Sequence, residues 1–213
     1  MKKLIAGLLL VSSLSLHAQS DKYAGAMKKS FQMMDSAKTT AEHQAASASF
    51  ERIANAEKTQ WLPYYYAALS LSIAGWGDAN LDKDKNAEQI KSLCDKAEAL
   101  TADNTDKAEI LAIRNMAATQ QMLVDPQSRW MSNGQEAGKY LQQGLTLNPD
   151  NPRLVYLQGA GLFGTPEQFG GGKAAAKPVL EKALALFKAA NPKPLYPDWG
   201  QKQTEDMLAQ CNE

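Results

Sequence analysis

Histidine and cysteine are scarce in this 213-residue chain, two of each, and that scarcity removes most metal and nucleophilic chemistry at the outset. His17 falls in a leader-like start, which leaves His43 alone. One histidine supplies too few ligands for a zinc site and no histidine-based triad. Cys94 and Cys211 could pair in an oxidising compartment. A disulfide needs Cα atoms about 4.4–6.8 Å apart, and distant segments of a repeat array do not touch. Two separate thiols are therefore expected, with Cys94 acting as a small core hydrophobe. There is no surplus of positive charge either: 23 basic and 23 acidic side chains balance, which argues against a nucleic-acid-binding face. No stretch alternates polar and apolar residues as a half-buried strand would.

The start of the chain has the zones of a secretory signal peptide. Lys2 and Lys3 precede the apolar run Leu4 to Leu16, and His17-Ala18 precedes Gln19. The run is shorter than the ~20 residues of a membrane-spanning helix. The expectation is a leader over 1–18 and a single domain over 19–213. The mature protein would be exported, periplasmic or secreted, with no stable membrane insertion after cleavage.

Helical repeats organise the remainder. In the stretch 137–163, Ala137, Leu141 and Gly144, with Pro149 beyond, have the spacing of the second helix of a tetratricopeptide-type repeat. Asn148-Pro149-Asp150-Asn151-Pro152 stops one helix and starts the next, because proline suits a first turn and breaks an interior. Val155, Gly159 and Leu162 follow at first-helix positions. The same template recurs at Ala46, Phe50 and Ile53, at Ile90, Cys94 and Ala97, and at Ala176, Leu180 and Ala183. It places helix pairs over 21–58, 62–100, 106–147 and 151–190, with a capping helix over 201–211. The predicted fold is all-α, an α-α superhelix of about four pairs plus the cap.

The template positions Ala46, Ile90, Ala137 and Ala176 stand 44, 47 and 39 residues apart, whereas this repeat class has a period of about 34. Each excess falls between the two helices of a pair. Three insertions follow, beginning at Trp76, Val124 and Gly164, and the geometry of a solenoid aligns them on one rim.

The chain resembles the tetratricopeptide-like family over nearly all of its mature length. Asp125-Pro126 with Arg129, Asn148-Pro149 with Asn151-Pro152-Arg153, Thr165-Pro166 with Phe169-Gly170-Gly171-Gly172-Lys173, and Pro197 with Trp199-Gly200 resemble exported tetratricopeptide-like proteins of Gram-negative bacteria. The proline, phenylalanine and paired glycines before a second helix are also similar to transporter-associated periplasmic repeat proteins. The resemblance implies binding without catalysis and transfers no catalytic residue.

Three motifs resemble sites of known chemistry. Gly159 to Gly164 spells G-x-G-x-x-G, but no strand-helix-strand unit surrounds it, so close helix packing is the better reading. Gly170-Gly171-Gly172-Lys173 before a helix offers N–H groups and a cation to an anion, or is simply a tight turn. Asp78 to Glu88 is rich in oxygen ligands yet lacks the glycine and glutamate of a calcium loop, which favours a solvated loop leading into helix caps.

The expected function is non-catalytic: a scaffold binding another exported protein or peptide. The alternative is a small-ligand or transporter-associated binding protein, with a small anionic ligand at the glycine-lysine turn. No cofactor, metal or nucleic acid is called for. The candidate partner-binding rim comprises Trp76, Arg129, Trp130, Phe169, Gly171 and Lys173. Its aromatic residues are either interface anchors or covers of the solenoid edge.

Overall fold

The computed structural model describes residues 21–212. The expected leader over 1–18 lies outside the described residues. Helix α1 covers 21–36 and is followed by α2 (Thr40–Glu57), α3 (Leu62–Gly77), α4 (Lys83–Glu98) and α5 (Asn104–Met122). A short α6 (Pro126–Arg129) runs through a π-helical turn, Trp130–Gly134, into α7 (Gln135–Leu147). Then come α8 (Pro152–Gly164), a 3-10 turn Glu167–Phe169, α9 (Lys173–Ala189) and α10 (Gln201–Cys211). No strand occurs among the described residues.

Local chemistry fixes the helix starts. Thr39 and Glu42 form a reciprocal capping box at α2. Asp82, Asp103, Asp125 and Asn151 accept backbone N–H groups at the starts of α4, α5, α6 and α8. Pro63, Pro126 and Pro152 stand in first turns, where a missing N–H costs nothing. The aspartates of the oxygen-rich loop are thus spent on structure. Asp82 caps α4, and Asp78 accepts from the Asn80 N–H and the Thr40 hydroxyl.

The helices pack in consecutive antiparallel pairs. α1 meets α2 through Phe31 on Phe50 and the Ser30–Ser49 hydroxyl pair. α3 pairs with α4, α5 with α7, and α8 with α9, and α10 closes the end against α9. Neighbouring pairs join through α2 with α3, α4 with α5, and α7 with α8. The template residues face inward as expected. Ala46, Phe50, Ile90, Cys94, Ala97, Ala137, Ala176, Leu180 and Ala183 are all buried, and Leu141 is half-buried. Gly159 lies in mid-α8, where an added Cβ would come within 2.6 Å of the Leu180 side chain. The glycine motif therefore serves close helix packing. Cys94 and Cys211 are separate thiols.

Candidate functional site

The solenoid has two edges and an inner face, and side chains of distinct chemistry collect on each. The first edge carries the turns within pairs, where the insertions lie. Thr40, from the α1–α2 turn, donates its hydroxyl to Asp78 at 2.6 Å. Arg129 grips Asp84 with two nitrogens at 2.7 and 3.0 Å and donates to the Gln121 carbonyl at 3.1 Å. That fork ties the second insertion to the start of α4 and holds the Asp84 carboxyl below the usual range. Arg129 therefore ties the second insertion to α4.

The other five rim residues divide by environment. Trp76 is 50% exposed, Trp130 55% and Phe169 74%; Ile73, Leu123, Val124 and Met131 are exposed beside them in sequence. Trp130 leans partly on its own turn, since a Cβ on Gly134 would stand 2.9 Å from the indole. Lys173 is exposed at the start of α9. Gly171 has a backbone duty: a Cβ there would fall 2.1 Å from the Thr165 carbonyl oxygen. The N–H groups of Gly170, Gly171 and Gly172 bond to Glu167, Pro166 and Leu162. They are consumed by the turn and not offered to an anion.

A cleft of about 300 Å³ opens on this same edge, between Lys38, Thr39, Thr40, His43, Ile73, Ala74, Gly77 and Asp78. His43 is only 9% exposed, and its enclosed Nδ1 has no hydrogen-bond partner among the described residues. Burial pulls the imidazole below the ordinary histidine range, with Glu42 opposing.

The inner face is occupied by the chain itself. The segment 190–200, between α9 and α10, crosses back over α8, α5 and α3. The Tyr66 hydroxyl donates to the Leu195 carbonyl at 2.9 Å, and the Trp199 indole N–H donates to the Tyr65 hydroxyl at 2.7 Å. Tyr196 packs edge-on to Trp61 with ring centroids 5.9 Å apart. Leu195 holds φ +68, a conformation that persists only when its surroundings impose it. Beneath this strap Arg153 holds Glu109 through two 2.6 Å bonds, and Asn151 adds a third.

From the sequence, Asn151-Pro152 serves to start α8, and Pro197, Trp199 and Gly200 carry only a family resemblance. Asn151 does cap α8, but these residues also build the buried polar centre. The signal that could have found it is Pro192, Pro194 and Pro197 interleaved with Tyr196 and Trp199, an aromatic run too rich for a plain linker. A cleft of about 530 Å³ flanks the strap, lined by Asp103, Asp106, Asp198 and Lys193 among others.

No protein-family profile matches the chain, and no curated protein matches it. A solved structure does: the HusA haemophore from Porphyromonas gingivalis, with a TM-score of 0.79 and 37% sequence identity. The alignment covers 89% of this chain and 92% of that one.

Proposed function

Since the chain belongs to the family of the HusA haemophore, we propose that it binds haem as an exported carrier and holds the macrocycle on its apolar rim. The observation that carries this reading is the 37% identity to a haemophore over nearly the whole chain. The surface supports it. A porphyrin offers two apolar faces and two carboxylates, and the rim collects Ile73, Trp76, Leu123, Val124, Trp130, Met131 and Phe169 in exposed positions. Large apolar residues left exposed in this number point to an interaction site.

Elsewhere the chemistry is less suited to a dianionic macrocycle. The cleft beside the strap is lined by Asp103, Asp106, Glu109 and Asp198 against Arg153 and Lys193. A peptide scaffold would use the inner face, and the strap fills it. The consecutive helix pairs fit a helical-repeat fold, here put to the use of a small ligand. Binding needs no catalytic residue. Export rests on Lys2, Lys3 and the short apolar run after them.

Haemin titration followed in the Soret region tests the reading. Saturable binding is expected. Trp76→Ala combined with Trp130→Ala should weaken it about tenfold or more, the scale of an interface anchor. Lys193→Ala, on the far edge, should bind as the parent protein does. Absence of saturable binding, or weakening confined to Lys193→Ala, would overturn the proposal.

A further inference from the structure

We infer that the ion pair between Arg129 and Asp84 is a positioning latch, which sets Trp130 and Met131 in place for the face of the macrocycle. The inference rests on the haem reading and names the part of the rim whose arrangement governs affinity. Leu123, Val124, Trp130 and Met131 make up half of the large apolar side chains exposed among the described residues. All four fall within 123–131, so the order of this one stretch decides how much of the apolar surface is ready for a ligand.

Trp130 and Met131 stand between two tied residues. On one side Arg129 holds both Asp84 oxygens, at 2.7 and 3.0 Å, and the Gln121 carbonyl at 3.1 Å. On the other side the Asn133 amide donates to Gln121 Oε1 at 3.3 Å. Gln121 is the hub of this arrangement and is only 8% exposed. Its own amide donates to Asp84 at 3.3 Å, and its Oε1 also accepts from Lys91 at 2.9 Å. Lys91 in turn pairs with Glu136 at 2.7 Å. Side chains of α4, α5 and α7 thus converge on the π-helical turn that carries the exposed pair, a backbone form found mostly at functional sites.

The energetics favour placement over stability. The Arg129 and Asp84 side chains keep 28% and 48% of their exposure, and an ion pair this open to water adds little to the stability of the whole fold. A two-point fork fixes direction as well as distance. Asp84 is not part of the apolar patch, and Arg129 is spent on Asp84 and Gln121. Both therefore act on the ligand through the residues they hold. A surface ordered before the ligand arrives has less freedom to lose on binding, and that difference appears as affinity.

The test is a double-mutant cycle in haemin affinity on the full mature chain, with Arg129→Gln, Asp84→Asn and both together, accompanied by thermal unfolding of each. Either single variant should weaken haemin binding about tenfold, the scale of one or two side chains that must then be ordered on binding, with Tm little changed. The double variant should bind as each single one does, because the two residues act as a unit. Arg129→Lys keeps the charge and loses the fork, so its affinity should fall between those of the parent and Arg129→Gln. In the ligand-free protein, amide hydrogen exchange over 125–134 should quicken in the weakened variants and stay unchanged elsewhere. Parent-like affinity in both single variants, or losses that add in the double variant, would overturn the latch while leaving haem binding intact. Losses that only follow a large fall in Tm would overturn it too, by reducing the pair to a structural tie. Failure of the parent protein to bind haemin would defeat the haem reading itself, and the latch with it.

Discussion

The Trp199 indole N–H donates to the Tyr65 hydroxyl at 2.7 Å, joining residues 134 positions apart. Tyr65 in turn stands 3.5 Å from Glu109, so the strap is bonded to the polar centre beneath it. Trp199→Phe keeps an aromatic ring in place and removes the donor together with part of the fused ring. It should cost about 1–2 kcal/mol in urea unfolding, the usual net value of a buried hydrogen bond plus a stranded acceptor. Tyr66→Phe, which releases the Leu195 carbonyl, should cost a similar amount. A change of only a few tenths of a kcal/mol in both variants would mean that the strap is held by packing alone.

The strap also marks the boundary of what the sequence made legible. A repeat period reports contacts between neighbouring helices, so Ala46, Ile90, Ala137 and Ala176 were readable as core. It carries nothing about a segment that reaches from the fourth pair back to the second. Arg129 was visible as a rim residue, but its partner Asp84 lies 45 positions away and left no local trace. Asp82, the N-cap of α4, stands among competing acidic residues that hide it in the sequence. The second insertion looked like a loop and is instead a capped short helix with a π turn, begun by Asp125-Pro126. His43 was set aside for want of a second ligand, and its enclosed, unpartnered Nδ1 becomes visible only from its burial.

Glu109 and Arg153 form a buried, bidentate pair with both side chains nearly out of solvent. Removing one member strands the other charge. Glu109→Ala or Arg153→Ala should each destabilise the protein by about 3–5 kcal/mol. Replacing both, as Glu109→Leu with Arg153→Met, should recover much of that loss, because an apolar pair of similar volume has no desolvation cost. Denaturant titration of the two single variants and the double variant decides the point. Additive losses in the double variant would show that the ion pair is not the source of the penalty.

Cys94 is buried, and burial pushes its thiol up to about 12 from 9.0. The folded state therefore holds its proton to higher pH than the unfolded chain does. That stabilising difference is fully present below about pH 9 and is lost as pH rises towards about 12, where the folded thiol also ionises. Cys94→Ala should flatten this alkaline decline. At pH 8 an aromatic disulfide reagent should modify Cys211 quickly and Cys94 only on unfolding. Rapid labelling of two thiols in the folded protein would contradict the burial.

Trp130 and Phe169 both stand on the rim, and their surroundings predict different consequences of truncation. The phenyl ring of Phe169 is 74% exposed at the end of a 3-10 turn. Phe169→Ala should leave stability within about 0.5 kcal/mol, as for ordinary surface changes. Trp130 is 55% exposed, but its indole lies against Gly134, and the Met122 sulfur approaches the same glycine. Trp130→Ala removes part of that cover and should cost about 1 kcal/mol, well below the 3–5 kcal/mol of a core aromatic. Gly171→Ala provides the contrast on the same edge. Its Cβ would collide with the Thr165 backbone, which cannot swing aside as a side chain can, so a cost of about 1–3 kcal/mol is expected. Thermal unfolding of the three variants orders these effects. A loss larger for Phe169→Ala than for Gly171→Ala would make the phenyl ring a cover of the solenoid edge, and the exposed rim would then lose one of its aromatic docking residues.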